Sequence, residues 1–498
     1  MNINIKWLFI ISIVLLLFFT SCDSTKPDNN GSLSGKILLD GETDHSGITV
    51  GVYKLAELNP DIVEINRKYS QIGVIINQHT EFDHRTGTLV KQTSTNADGN
   101  FKISDIPNGK YNVVAIKDSF GFKYIYNVSI AKGDNSLPES HTLYRETYIT
   151  SDINADTTWL ADHHYIIGEE HQTISVINNA VLTIEPGAVV RLNKNVSLSI
   201  GSDCEQGNLT AIGENSNMIW FTKNDGITEN LNEIILNDDY QWDGIYLTEN
   251  ANAEVEWCKF DYSSNGLQNK IDGFSISNSI FNNCIIGFLS SSSTHTDSTH
   301  TDCSNLLCRN IDSPAEGGIF FEMVNTGTIE KNIFYNCYYG LKVKDGFKGE
   351  IKNNYFKNNN NGAWLMKVTV EFTHNELYNN SECDIRTSGA TSPKITYNEI
   401  NSNNGILIEC DVGYQDSSPL IHKNNFYNED WFIYVKTHNR IDIDAKENYF
   451  DGLNNVEDIK QKVYDKEDYP ANQQYDIGDV DVSNFRTYKY DDAGITGD

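Results

Sequence analysis

The chain has 498 residues, long enough for two or three domains. Its 38 basic residues stand against 69 acidic ones, a formal net charge of −31 that argues against nucleic acid or an anionic membrane face as a partner. No glycine-rich phosphate loop, Gly-x-Ser-x-Gly elbow, His-Glu-x-x-His helix or EF-hand spacing occurs in it, so no cofactor is expected.

Residues 1–22 carry Lys6 and then an apolar run from Trp7 to Phe19, too short and too early for an ordinary membrane span. The run ends Phe19-Thr20-Ser21-Cys22 and gives way to a polar tether, 23–32, containing Pro27, Asn29, Asn30 and Gly31. This junction resembles the lipobox of bacterial lipoprotein signal peptides, with Phe19 in the place where that motif usually has leucine. The resemblance implies export, acylation of Cys22 and a membrane-anchored place in the bacterial cell envelope, at the outer membrane or cell surface. A secretory peptide cut elsewhere is the other reading.

Residues 33–146 read as a compact β-sandwich. Alternating strands flank Asp98-Gly99, a hairpin signal because glycine takes positive φ without steric cost. Further strands follow Ile106-Pro107-Asn108-Gly109, and a long insertion separates Tyr53 from Leu89. This order resembles the carboxypeptidase regulatory-like domains, seven-stranded sandwiches of the transthyretin-like type. The resemblance implies a non-enzymatic spacer and no chemistry.

From Thr147 the pattern changes. Leu182-Thr183-Ile184-Glu185-Pro186-Gly187, Asn208-Leu209-Thr210-Ala211-Ile212-Gly213 and Trp242-Asp243-Gly244-Ile245 succeed one another. Further on, a phrase recurs every 21 to 27 residues: asparagine, any residue, a large apolar residue, with an aliphatic or aromatic residue three positions before. Its copies centre on Asn278, Asn305, Asn332, Asn354, Asn375, Asn398, Asn424 and Asn448. A second phrase follows in several copies, as in Gly340-Leu341-Lys342-Val343, Gly362-Ala363-Trp364-Leu365 and Gly405-Ile406-Leu407-Ile408. A period just above twenty that carries short alternating strands points to a β-solenoid with coils about 4.8 Å apart. Stacked asparagines suit an inward bend, since each amide can donate to one neighbour and accept from the other. All eight are therefore expected to be structural ladder residues. The succession also resembles the opening coils of right-handed parallel β-helix proteins of the pectate-lyase-like superfamily. The expected architecture is all-β: a sandwich, a right-handed parallel β-helix over 147–455, and a cap and tail over 456–498. In the cap, Val456, Ile459 and Val463 have helical spacing, and the tail is expected either to pack back or to trail free.

Beyond Cys22, none of the eight cysteines forms a Cys-x-x-Cys pair, so no structural zinc is expected. Cys258 occupies the asparagine slot of an earlier coil, and the spacing of Cys303 and Cys308 permits a loop disulfide. The stretch Thr294–Cys303 gathers His295, Asp297, His300, Asp302 and Cys303. All are competent ligands, yet a polar low-complexity loop is the better reading, and no metal is assigned.

If the asparagines point inward, their neighbours point outward. His374, Glu376, Tyr397 and Glu399 then form a two-by-two patch on adjacent coils, flanked by Tyr355 and, further along, Tyr449. These four are the catalytic candidates, because paired carboxylates with a histidine and tyrosines are what a glycan-cleaving groove needs. Tyr355, Glu376, Glu399 and Tyr449 are the binding candidates. The expected function is a non-catalytic surface module binding glycans or another cell-envelope partner along a long rigid prism. A polysaccharide lyase or glycoside hydrolase on the same face is the alternative. Neither the basic calcium-assisted cluster of pectate lyases nor the aspartate set of polygalacturonases can be placed on these coils.

Overall fold

The structure, a computed structural model, describes residues 30–239, 241–291, 299–410, 415–436 and 438–497. Cys22 and most of the expected tether lie outside the described residues, as do His295 and Asp297. The first strand, Asn30–Leu39, already begins inside the stretch read as tether, because Ser32 and Leu33 are buried there.

Two sheets form the N-terminal sandwich. Asn30–Leu39 pairs antiparallel with Asn100–Pro107 and parallel with Gly133–Ser136 and His141–Leu143. The other sheet runs Leu89–Ser94, Thr49–Lys54, Gly109–Lys117, Gly121–Ile130. Leu33 and Ile37 of the first sheet meet Val50, Val52, Val113 and Ala115 of the second in a common core. The alternate residues of the second sheet, Tyr53, Val114, Ile116 and Phe122, are buried too, on the opposite face. A strand reading Tyr-Asn-Val-Val-Ala-Ile is apolar at successive positions because both its faces are covered.

The solenoid begins at Thr147–Ile149 and is built of three parallel sheets of 13, 13 and 12 strands. The first runs from Thr157–Trp159 to Val480–Asp481, the second from Thr147–Ile149 to Tyr449–Phe450, and the third from Thr173–Val176 to Val463–Tyr464. Equal positions on successive coils stack in register. Phe221, Phe260 and Phe281 lie 5.1 and 4.8 Å apart with nearly parallel rings, and Phe334 and Phe356 lie 4.7 Å apart.

The turn from first to second sheet repeats one backbone device. Lys331, Asn353, His374, Tyr397, Lys423 and Glu447 all have φ between 54° and 60°, and each is followed by a fully buried asparagine. Asn375 is typical: its Oδ1 accepts from Asn354 N (2.9 Å) and Nδ2 (3.0 Å), and its Nδ2 donates to Asn398 Oδ1 (3.1 Å) and Ile351 O (2.9 Å). The same pattern joins Asn332, Asn354, Asn375, Asn398, Asn424 and Asn448. Asn278 and Asn305, expected in the same ladder, are not in it. They occupy the positive-φ slot one residue earlier (φ 50° and 53°), and the inward slot is filled by Ser279 and Leu306. Asparagine tolerates left-handed backbone better than other residues with a side chain, so it suits either slot.

Further findings concern the cysteines and the C-terminus. Cys303 and Cys308 are free thiols, both fully buried, on strands of two different sheets either side of this bend, so no disulfide joins them. Coiling continues past 455. A short helix, Val456–Lys460, buries Ile459, after which Val463–Tyr464 and Val480–Asp481 extend the third and first sheets. The remaining tail packs back over the second sheet.

Candidate functional site

One outward column runs the length of the second sheet. In register it reads His164, Val189, Trp220, Lys259, Ile280, Leu307, Ile333, Tyr355, Glu376, Glu399, Asn425 and Tyr449. The expected patch lies at its C-terminal end, and Glu376 and Glu399 are neighbours as the spacing requires. The column is not an open face, however. Three pieces of the same chain cover it from end to end.

The sandwich covers the first part, where Phe122 and Tyr124 meet Trp220 at 6.0 and 6.3 Å. Beneath them Arg85 is buried against Asp83 (2.8 Å) and donates to Lys223 O (3.0 Å) and Thr222 Oγ1 (2.9 Å). Burial pushes the Asp83 carboxyl up, but the Arg85 charge and hydrogen bonds outweigh it and hold Asp83 at about 2. The solenoid answers with its own loop: Leu231 enters the same apolar cluster and Glu229 pairs with Lys117 at 3.4 Å.

The insertion covers the middle. Its helix, Pro60–Lys68, starts where Asn59 Oδ1 accepts from Asp61 N and Ile62 N, with proline at the first turn. Ile62 and Ile65, with Ile72, Val74 and Ile76, pack on Ile280, Leu307, Ile333 and Tyr355. Polar contacts frame that seam: Lys357 to Asp61 at 2.7 Å, Arg309 to Glu81 at 2.6 Å, and Gly73 N to Lys331 O at 2.8 Å.

The tail covers the end. Arg486 N donates to Asn448 O (2.8 Å), Tyr490 and Asn425 exchange two bonds of 2.9 Å, Gly494 N donates to Tyr397 O (2.8 Å), and Thr496 N donates to Asn353 Oδ1 (3.1 Å). Gly494 takes φ +82° directly above the carboxylate pair, where a Cβ would lie 3.0 Å from Glu399 Cγ and 3.1 Å from Glu376 Oε1. Tyr449 forms a parallel bridge with Arg486.

The expected catalytic patch is thus a closed seam. Glu376 is 2% exposed, accepts from Lys68 Nζ at 2.9 Å and also accepts from the Tyr69 hydroxyl. Burial raises its carboxyl above the ordinary range, Tyr69 and Lys68 pull it back, and Glu399 adds a little repulsion. Glu399, half-buried, accepts from Tyr378 at 2.9 Å. His374 stacks on Tyr397 at 5.3 Å and its Nδ1 lies 3.3 Å from Gly494 O. Tyr355 is 7% exposed between Tyr69 and Tyr378. Lys68, from the insertion, supplies the positive charge beside Glu376. Glu376 is thus buried under the insertion and the tail, while His374, Tyr397 and Glu399 are half-buried at its edge.

Of the histidine loop, only His300, Asp302 and Cys303 among the candidate ligands are described. His300 pairs with Asp302 at 2.9 Å on the outside, whereas Cys303 is fully buried facing the interior.

The third sheet is uncovered by any of these pieces, although Phe320, Lys342 and Leu407 of its outward column are buried among their neighbours; Trp364, Arg386 and Tyr434 are half-buried and Tyr464 is exposed. Its outward column aligns Phe320, Lys342, Trp364, Arg386, Leu407, Tyr434 and Tyr464. Lys342 and Arg386 lie over the two faces of Trp364, 4.5 and 4.4 Å from the ring centre, so the indole presents its edge. Arg386 pairs with Glu409, which also takes Lys436 at 3.0 Å. Beyond them Trp431, Tyr434 and Tyr464 form a connected aromatic patch, ring centres 5.8 and 5.3 Å apart, with Tyr464 48% exposed. The first sheet, by contrast, is a solvated ion-pair face, with Lys394–Glu371 at 3.0 Å and His422–Asp444 at 2.9 Å.

The third-sheet column escaped the sequence reading, although its signal is present: it is the residue two after the glycine or its equivalent in the second phrase. The insertion helix also left a signal, an Asn-Pro start followed by isoleucines three apart, which must be buried somewhere. A family profile described as a right handed beta helix region matches residues 301–450, the coils that carry the asparagine ladder. Comparison with curated proteins and with solved structures gives no match. The three stacked parallel sheets and this match together make the solenoid a right-handed parallel β-helix preceded by a β-sandwich.

Proposed function

We propose that the protein is a non-catalytic module of the bacterial cell envelope, anchored through a lipid on Cys22, that binds an extended glycan along the third sheet of its β-helix. The sandwich, of the carboxypeptidase regulatory-like type, acts as a spacer that is also bolted to the solenoid. The observation that carries the reading is the accessible patch of Trp431, Tyr434 and Tyr464 beside Arg386, Glu409 and Lys436. Open aromatic rings give a sugar a surface for its C–H face, and the adjacent charged groups bond its hydroxyls. The lyase or glycosidase alternative loses support because its carboxylates are occupied by Lys68, Tyr69 and Tyr378 under the tail.

The test is a glycan array with the full chain, product analysis of every ligand found, and the variants Tyr434→Ala and Tyr464→Ala. We expect bound glycan without cleavage and a loss of about tenfold or more in each variant, about 1.4 kcal/mol, as for truncation of an aromatic anchor at a binding surface. Cleavage products abolished by Glu399→Gln would replace this reading with the enzymatic one. Fractionation of Cys22→Ala tests the anchor, whose loss should move the protein out of the membrane pellet.

A further inference from the structure

A recess of about 260 Å³ lies where the sandwich meets the first part of the covered column. The sandwich contributes Phe122, Tyr124 and Tyr126, the insertion His79 and Phe82, and the solenoid Trp220 and Lys259, with Ser216 and Asn217 on a nearby turn. It does not belong to the carboxylate seam or to the third-sheet patch.

Its walls are aromatic and held in place. Phe122 and Tyr124 stack at 4.9 Å, Tyr124 and Tyr126 meet at 5.7 Å, and His79 lies 4.1 Å from Tyr126. The Tyr124 hydroxyl is fixed 2.8 Å from His84 Nδ1. An opening many times the roughly 10–15 Å³ that one water needs, walled by ordered rings, is a shaped site.

The charges around it decide the ligand class. Lys123 pairs with Asp162 at 2.5 Å, Lys259 with Asp261 at 3.1 Å, and Arg85 with Asp83 at 2.8 Å. Burial drops His84 to about 3 and His164 well below its ordinary value, so both rings are neutral. An anion finds every cation already matched. A cation is disfavoured because Lys259 and Arg85 already lie over Trp220, at 5.0 and 5.1 Å. What remains is a neutral ring with an apolar face for the aromatic walls and a polar edge for Asn217, Ser216 and the Lys123–Asp162 pair.

We propose that this recess binds a single neutral pyranose, the terminal or branch residue of a glycan. The recess of about 260 Å³ has room for one such ring between its aromatic walls. The proposal is independent of the third-sheet reading.

The test titrates the full chain with glucose, galactose, mannose and N-acetylglucosamine, followed by tryptophan fluorescence and saturation-transfer NMR. We expect saturable binding of at least one of them with a Kd of about 1 mM, ordinary for a ligand of this size. Ser216→Trp, a change at an exposed turn on the rim, and Tyr126→Ala should each weaken it by about tenfold or more, while Tyr464→Ala leaves it unchanged. Melting curves confirm that each variant is folded. No saturation with any of the four up to about 50 mM overturns the proposal. So does binding untouched by Ser216→Trp, or a preference for indole or choline over every sugar. Loss of array binding in Tyr464→Ala with monosaccharide binding intact would support both sites separately, and the reverse pattern would overturn both readings.

Discussion

Each ladder asparagine bonds through its side chain to neighbouring coils, so removing one strands several polar groups in a dry interior. For Asn375→Ala these are the Asn354 amide and backbone N–H, Asn398 Oδ1 and Ile351 O. The expected cost is about 1–3 kcal/mol in urea unfolding, against under about 0.5 kcal/mol for Lys352→Ala on the solvated first sheet. Similar costs at the two positions would mean that the ladder does not hold the bend. Deeper in the same coils, Asp384 is fully buried and accepts from Asn380 Nδ2 (2.7 Å), Ser402 N (3.2 Å) and Asn428 Nδ2 (3.3 Å) as well as the Ser402 hydroxyl. Burial nonetheless raises its carboxyl from 3.8 to about 7. A carboxyl that holds its proton more tightly when folded contributes stability below its unfolded value, and that contribution is lost as pH rises through about 7. The stability of wild type relative to Asp384→Asn should therefore fall by roughly 1–4 kcal/mol between about pH 4 and pH 8. A constant difference across that range would show the carboxylate already ionised at the acid end.

The elements divide into those a sequence period reveals and those it does not. The coils were legible because a stacked repeat writes the same inward and outward alternation every 21 to 27 residues. The ladder was legible from Asn332 onward. It was misplaced by one position at Asn278 and Asn305 because asparagine also favours the positive-φ slot beside it. The covers were illegible for a different reason. Lys68 and Glu376 are 308 residues apart, and no local pattern says which outward column a distant helix will choose. That choice converts the expected catalytic glutamate into a docking residue. Glu376→Gln keeps the shape but removes the charge that Lys68 and Tyr69 bond to, so it should lower stability by about 1–2 kcal/mol. Hydrogen exchange should quicken in Pro60–Lys68 and around Gly494 while the interior strands stay protected. Unchanged exchange at both covers would show that they are held without Glu376.

At the scale of the whole molecule the three faces of the prism have three chemistries: ion pairs on the first sheet, a covered column on the second, cations and aromatic rings on the third. The sandwich, expected to be a non-enzymatic spacer, is fastened to the second face in both directions. Arg85 and the insertion reach into the solenoid, and the 224–239 loop reaches back with Leu231 and Glu229. Residues 147–498 alone would therefore expose Trp220 and, beyond Lys259, the unbroken run Ile280, Leu307, Ile333 and Tyr355 on successive coils, all five apolar residues under 9% exposed in the full chain. An apolar strip of that kind on a flat parallel sheet invites self-association. The fragment is expected to scatter light and bind a hydrophobic dye at concentrations where the full chain does neither. The full chain should also melt in one cooperative transition, because its two parts share buried cores. Arg85→Met removes the buried cation and leaves Asp83 unpaired at that seam, so it should cost about 3–5 kcal/mol. It should also split the single transition in two. A monomeric, dye-free fragment that melts at the temperature of the whole would mean that the sandwich contributes nothing to the solenoid, and the second face would again be open to ligands.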